Sequence, residues 1–248
     1  MTQRRQTAVR VIAVVMAVST LGFGIFTIAF GIVGPEQEPH AFHNAVVASL
    51  LLILSAPPAI AVARTPSQPM RPLVVLAVLA IAGFATMLLS LTIDPFTLPF
   101  LVLVGVLWAL AGDQTGIPPS GRVSLVLLAL VVAAAAPLTV YAIGQAELQR
   151  TDDTSAHAAF FHWVETSFHA FAVLGLGFLA ALRPAGNRMA AWMAGLSLGV
   201  VGAASLLFPT HASSLPAPWA AAALAGGVAF VAVAEWEARR SSAPEAGN

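Results

Sequence analysis

The sequence predicts an all-α integral membrane protein with eight transmembrane helices. Hydrophobic residues make up 58% of the 248 residues and charged residues only 9%, and the mean hydropathy is +0.87. A soluble domain carries about 25% charged residues, so this chain has too few of them to cover a surface that faces water. The spacing of the apolar segments and the distribution of arginines then predict the number and orientation of the helices.

Eight apolar segments approach the roughly 20 residues that a helix needs to cross the hydrocarbon core. The first is too long for the apolar core of a signal peptide, about 7–15 residues, so it is predicted to be a spanning helix. The fourth is the shortest and fits either a tilted span or a re-entrant segment. Proline lacks the N–H that a helix interior needs, so Pro57, Pro58 and Pro137 predict kinks. The segments are 9–33, 41–63, 72–93, 96–112, 123–146, 159–182, 189–208 and 217–236.

The basic residues, all of them arginine, predict the orientation. Ten of the eleven fall on one side of an eight-helix arrangement, and only Arg150 falls on the other. Because cytoplasmic loops carry the excess of basic residues, both termini are predicted to be cytoplasmic. An alanine-rich chain with arginine and no lysine is typical of a GC-rich bacterial genome, which suggests a bacterial plasma membrane. The ten arginines are Arg4, Arg5, Arg10, Arg64, Arg71, Arg122, Arg183, Arg188, Arg239 and Arg240.

The second half of the sequence repeats the spacing of the first half. His43 precedes Arg64 by 21 positions, and His162 precedes Arg183 by the same number. We therefore predict two four-helix repeats, residues 1–118 and 119–248, within one membrane domain. An even number of spans makes such repeats parallel, related by an axis along the membrane normal. The repeat would place His43 and His162 at equivalent positions, and likewise Asp94 and His211.

Three further features of the composition exclude classes of function. The chain has no cysteine, which excludes disulfides, iron–sulfur clusters, thiolate metal sites and cysteine nucleophiles. It has no lysine, which excludes a retinal or pyridoxal Schiff base. Its net charge is zero, so there is no basic face for nucleic acid. The lipid bilayer is the one partner that the composition itself implies.

The sixth segment carries the strongest candidate site. At 100° per residue, His162, Glu165 and His169 fall on one face of a helix, and Glu165 and His169 lie within the hydrocarbon. An ionisable group near the membrane centre costs about 2.5–3.5 kcal/mol on the insertion scale, so it normally faces the bundle or a wet cavity. All six histidines lie at or near the predicted outer side of the membrane, where His40 and His43 also share a helical face.

We predict from these residues a site that opens to the extracytoplasmic side. Imidazole and carboxylate groups bind zinc, copper and iron, and imidazole also binds haem. Glu165 is the predicted catalytic residue, moving protons. His40 and His157 are predicted to be loop histidines outside the site, because loop histidines are commonly only solvated. The predicted metal ligands are His43, His162, His169, His211 and Asp94.

Three functions remain open at the level of sequence. The first is a membrane enzyme that uses a transition metal or haem for redox or metal-assisted chemistry. The second is a small proton-coupled transporter or permease, which buried Glu and His residues and kinked helices also fit. The third is a membrane scaffold or assembly factor without chemistry. A small molecule or ion entering from the outer side fits the first two, and the sequence names neither the substrate nor the oligomeric state.

Overall fold

The structure is a computed structural model that describes residues 1–31, 40–112, 123–152, 154–182 and 188–241. These residues form helices joined by turns and short loops, with no strand among them. Two arginines of the topology argument, Arg122 and Arg183, lie outside the described ranges. The helices are α1 Gln3–Gly31, α2 Ala41–Ser49, α3 Ala56–Arg64, α4 Met70–Ser90, α5 Thr97–Ala111, α6 Leu125–Thr151, α7 Ala156–Ala159, α8 His162–Leu182, α9 Arg188–Leu207 and α10 Ala217–Ser241.

Each apolar segment of the sequence contains a helix in the structure. Within the described residues, seven helical stretches are long and apolar enough to cross a membrane, with α2 and α3 counted as one continuous stretch. The remaining apolar helix, α5, has only 15 residues and would extend about 22 Å at 1.5 Å per residue. The prediction of an all-helical, multi-pass chain is therefore supported, with seven candidate spans.

A π-helical segment, Leu50–Ser55, joins α2 to α3. It lies directly before Pro57 and Pro58, which occupy the first turn of α3, where the missing N–H groups are tolerated. The backbone N–H of Ala56 donates five residues back to Leu51 O, and the Ser55 hydroxyl donates to Leu50 O at 2.8 Å. The two prolines are thus accommodated by a widened turn within a continuous helical span.

Helix α8 lies at the centre of the bundle. It packs against α4, α6 and α9, and it also contacts α2. In the most apolar 18-residue stretch of α8, 78% of the residues are buried. The corresponding share is 28% in α1 and in α10, and 17% in α6. The most polar of the seven candidate spans is therefore the one most shielded from lipid, as the cost of exposing polar groups to hydrocarbon requires.

The two ends of the bundle differ in character. At one end, which we call the arginine end, the Arg188 guanidinium pairs with Glu235 at 2.5 Å and Ser124 Oγ donates to Glu237 Oε1 at 2.7 Å. At the other end, which we call the histidine end, His43 Nε2 lies 2.8 Å from Ser213 Oγ. The histidine end is therefore separated from the arginine end by the length of the helices.

Candidate metal centre

Three histidines from three different elements converge at the histidine end. His40 immediately precedes α2, His157 lies in α7, and His162 begins α8. Each offers one ligand atom such that these three atoms all lie within 4.8 Å of one another. Their ring centroids are 4.7 Å (His40–His157), 4.9 Å (His40–His162) and 5.6 Å (His157–His162) apart. We call these three residues the histidine cluster.

The spacing within the cluster suits a small ion. Zinc binds histidine nitrogen at about 2.0–2.1 Å in a tetrahedral site, so two ligand nitrogens lie about 3.3–3.4 Å apart. The Nδ1 atoms of His157 and His162 are 3.3 Å apart, within hydrogen-bond distance of each other. Two ligands on one edge of a tetrahedral shell have the same separation, so these two rings could supply one such edge.

The loop between α6 and α8 brings His157 to His162. The Asp152 carboxylate accepts hydrogen bonds from the backbone N–H and the hydroxyl of Ser155, and Ser155 Oγ in turn accepts from the N–H of Ala158 and caps α7. Phe161 then adopts φ 61°, a left-handed conformation that costs a bulky residue about 1–2 kcal/mol. Such strain is typical of functional sites. Here the left-handed residue lies in the turn that joins α7 to α8, between His157 and His162.

A fourth imidazole, that of His43, packs against the buried side of the cluster. The ring of His43 stacks on that of His162 with centroids 5.0 Å apart and an angle of 10° between the planes, and it lies 4.6 Å from the ring of His157. The indole ring of Trp163 packs against both His43 and His157. His43 and Trp163 are buried, so they form the inner wall of the site.

A hydrogen-bond network fixes the protonation of His43. The hydroxyl of Ser213 donates its single proton to Gln145 Oε1 at 2.6 Å, so it accepts from His43 Nε2, which lies 2.8 Å away. Nε2 therefore carries the proton of His43, and Nδ1 is left with a free lone pair. Tyr141 OH donates to the carbonyl of Ser213 at 2.8 Å and holds the serine in place.

Removing the Ser213 hydroxyl should destabilise this end of the bundle. In Ser213→Ala, the buried groups of His43 and Gln145 both lose their partner, and an unsatisfied buried polar group costs about 1–3 kcal/mol. We expect a fall of about this size in the free energy of unfolding, measured by denaturant titration in detergent. Ser214→Ala, which removes one half-buried bond to Phe208 O, is the matched control. An equal loss in the two variants would show that the network contributes nothing special.

Among the described residues, the buried imidazole nitrogens without a hydrogen-bond partner include Nδ1 of His40 and Nδ1 of His43. A buried polar atom without a partner carries a free-energy penalty and is rare in folded proteins. A ligand that accepts a lone pair, such as a metal ion, would remove the penalty at His40, a member of the cluster.

The protonation of the loop histidines also suits metal binding. Burial lowers the pKa of His40 from its usual value of 6.5, and the nearby charge of His211 lowers it further. Burial is also the main cause that lowers the pKa of His157, followed by the charge of His40; the carboxylate of Asp152 acts in the opposite direction. Both rings are therefore neutral at pH 7, which is the form that binds metals.

The predicted ligands are distributed unevenly around this centre. His162 belongs to the cluster, His43 stacks on it, and His211 is close enough to affect the pKa of His40. His40 and His157, which the sequence predicts to be loop residues outside the site, complete the cluster. The sequence could have indicated His40, because this residue shares a helical face with His43. Nothing in the sequence shows that the loop folds back to bring His157 to His162.

His169 lies apart from the cluster. It is seven residues beyond His162 on α8, about 10 Å along the helix axis, and its Nε2 lies 3.0 Å from Ser49 Oγ. Ser49 Oγ donates in turn to Ser197 Oγ at 3.1 Å. These two hydrogen bonds connect α8, α2 and α9 through the core, as interhelical hydrogen bonds do in membrane proteins.

The two predicted carboxylates lie at a second place in the bundle. Asp94 accepts hydrogen bonds from the backbone N–H groups of Phe96 and Thr97 and from the Thr97 hydroxyl, so it caps the start of α5. The side chain of Glu165 is buried and lines a cavity that Asp94 also lines. The predicted catalytic role of Glu165 and the ligand roles of Asp94 and His169 stay predictions.

The fold and the site together support a class of protein. Seven apolar helices of spanning length support a multi-pass membrane protein, and three convergent histidines could hold a metal ion. Comparison of the chain with protein-family models, with curated proteins and with solved structures gives no match.

Proposed function

We propose that this protein is a multi-pass membrane protein that binds one transition metal ion through His40, His157 and His162. The observation that carries the proposal is the convergence of three ligand atoms within 4.8 Å of one another. The ion would lie at the histidine end of the bundle, between the start of the second span and the start of α8. It would bridge both halves of the sequence.

The donor set narrows the identity of the ion. Three imidazoles suit zinc, copper, iron or nickel, and they do not suit magnesium or calcium, which prefer oxygen ligands. A small ion fits better than haem, because His43, Phe160 and Trp163 pack around the cluster where a porphyrin would need a slot. Three protein ligands leave a coordination position open, as in catalytic zinc sites, so substrate or water could reach the ion.

Metal analysis of the purified protein tests this function. We expect protein purified in detergent, stripped with a chelator and reloaded with zinc or copper to hold about one ion per chain. Its visible spectrum should lack a Soret band. Metal content at the background level after reloading would refute the proposal. A Soret band would show that the protein binds haem and not a single metal ion.

We further propose that α5 completes a set of eight spans. The helix packs along α1: the rings of Phe96 and Phe23 are 5.4 Å apart near one end, and Gly112 lies close to Arg5 at the other. Residues 5 and 23 of α1 are about 27 Å apart at 1.5 Å per residue, close to the roughly 30 Å of the hydrocarbon core. This supports a short fourth span that ends beside the arginines of the N-terminus.

The orientation that follows puts both termini in the cytoplasm of a bacterial cell and the histidine cluster outside. Its support is the ten-to-one distribution of arginines. Because the chain has no cysteine, single cysteines at Thr154 and Ser241 give a direct test. We expect an impermeant thiol reagent applied to intact cells to label Thr154→Cys and not Ser241→Cys. Permeabilised cells, in which both should react, are the control, and the opposite labelling would put the histidine cluster on the cytoplasmic side.

The two-repeat organisation is also retained as a proposal, and the helix contacts support it. In the first half α1 packs on the second span, and in the second half α6 packs on α8. Across the halves, α4 packs on α8 just as α9 packs on α2, which are corresponding pairs under a two-fold axis along the membrane normal. The stacked rings of His43 and His162 come from corresponding positions and would lie near that axis.

A further inference from the structure

A cavity of about 520 Å³ lies apart from the histidine cluster, between α1, the π-helical segment, α5 and α8. Most of its wall is apolar. Its rim includes Val18, Phe23 and Phe96, whose side chains are exposed, so it opens on a surface of the bundle that faces the hydrocarbon of the bilayer. A volume of this size falls within the roughly 300–1,000 Å³ of small-molecule sites and is far larger than a bare ion needs.

Three of the four hydroxyl groups that line the cavity offer acceptors and not donors, and the fourth belongs to Ser19, which is exposed. Ser55 Oγ donates to the carbonyl of Leu50, and Thr20 Oγ1 donates to the carbonyl of Met16. Thr97 Oγ1 donates to the carboxylate of Asp94. Each of these three hydroxyls has already used its single proton, so only oxygen lone pairs remain for a ligand.

Two carboxyl groups complete the polar part of the wall. Asp94 accepts three hydrogen bonds from its neighbours, which stabilise its ionised form. Glu165 is only 7% exposed, and among the described residues its carboxyl group has no hydrogen-bond partner. No basic side chain lines the cavity. A buried carboxyl group without a partner carries a free-energy penalty, which a cation or a strong hydrogen-bond donor would remove.

We propose that this cavity binds an amphipathic primary amine that enters from the bilayer, with its ammonium group at Glu165 and Asp94 and its apolar part along the walls. An ammonium group has three donors and no acceptor, and this matches a wall that offers mainly acceptors. Its positive charge matches the two carboxyl groups, and the lateral opening admits a molecule already dissolved in lipid. The site is independent of the histidine cluster and needs no metal.

A series of probes with the same chain and different head groups tests the proposal. Decylamine, which is protonated at pH 7 because alkylamines have a pKa near that of lysine, about 10.4, is compared with decanol and decanoate. Binding to the purified protein is measured by native mass spectrometry, at a fixed detergent concentration. We expect decylamine to bind at least about tenfold more tightly than decanol, and decanoate not to bind detectably.

Variants locate the binding in this cavity. Glu165→Gln should reduce the preference for decylamine over decanol at least fivefold, whereas Glu147→Gln, on the exposed end of α6, should leave it unchanged. Gly22 lines the cavity, and an added Cβ there meets no atom within 4 Å, so Gly22→Leu should occupy the space without disturbing the fold. Gly105→Leu is the matched control, because Gly105, on α5, has the same open surroundings and is not among the residues that line the cavity.

Three outcomes would overturn the proposal. Equal binding of decylamine and decanol in the unmodified protein would mean that the cavity accepts any alkyl chain, whatever its head group. Preferential binding of decanoate would mean that the carboxyl groups do not control the site. Decylamine binding that survives Gly22→Leu would mean that the amine binds elsewhere. The first two comparisons use the unmodified protein, so they remain decisive if Glu165→Gln fails to fold.

Discussion

The variants His157→Ala and His162→Ala should each lose bound metal while the protein still inserts and folds. Removing one of three ligands leaves two imidazoles, and even a group that only supports a ligand typically changes metal affinity by about 10–100-fold. We therefore expect a loss of more than about 100-fold in zinc affinity. The measurement is titration with zinc against a competing chelator, after the protein has been stripped of metal. His40→Ala should behave in the same way, because His40 is the third member of the cluster.

Two further histidines provide matched controls for this experiment. His169→Gln keeps a polar group at the position that bonds Ser49 and should leave metal binding unchanged. His43→Phe keeps a ring stacked on His162 and should weaken binding within the 10–100-fold of a supporting group. A His169→Gln variant that loses the ion would move the metal centre deeper into the bundle. Unchanged affinity in His157→Ala and His162→Ala would refute the histidine cluster as the site.

A single methyl group at Gly227 should strongly destabilise the protein. In the structure, α9 and α10 approach so closely that a Cβ at Gly227 would collide with the carbonyl oxygen of Gly195 and lie 2.9 Å from the backbone N of Gly199. Both neighbours are backbone atoms, so no side-chain rotation relieves the contact and the helices must separate. Overpacking typically costs about 1–3 kcal/mol, and we expect Gly227→Ala to lose at least about 3 kcal/mol of unfolding free energy.

The adjacent glycine is the control for this prediction. A Cβ at Gly226 would meet only the flexible end of Leu198, at 3.9 Å, so Gly226→Ala should change stability by less than about 1 kcal/mol, the usual difference between glycine and alanine in a helix. Both variants are unfolded by denaturant in the same detergent. Equal stability of the two would show that α9 and α10 are not in the close contact described. Close approach through small residues is the usual basis of helix association in membranes.

The proposed metal centre and the proposed amine cavity use different ionisable groups of the bundle. The imidazoles of the histidine cluster lie at the end of the helices, where a hydrated ion could arrive from solution. Glu165 instead faces a cavity whose rim is apolar and exposed, where a ligand would arrive from lipid. His162 begins α8 and Glu165 lies one turn further in, so one helix serves both sites. Binding at the two sites can therefore be measured separately, with zinc for the first and decylamine for the second.

The class of protein and the position of its helices follow from the sequence alone. Every predicted apolar segment contains a helix, because burying about 20 apolar residues in lipid while satisfying the backbone leaves few other structures. The importance of α8 was also predictable, since His162, Glu165 and His169 on one helical face cannot all face hydrocarbon. The buried surface of α8 agrees with that argument.

The composition of the proposed metal centre was decided by tertiary structure. The sequence shows how residues are spaced within one helix, and that spacing grouped His162 with His169. The structure instead groups His162 with His40 and His157, because a short capped helix and the left-handed Phe161 fold a loop back over the start of α8. Residues that share a helical face but are seven positions apart are separated by about 10 Å along the helix. Residues from different elements can instead converge on one ion. Only the packing of those elements determines which residues do so.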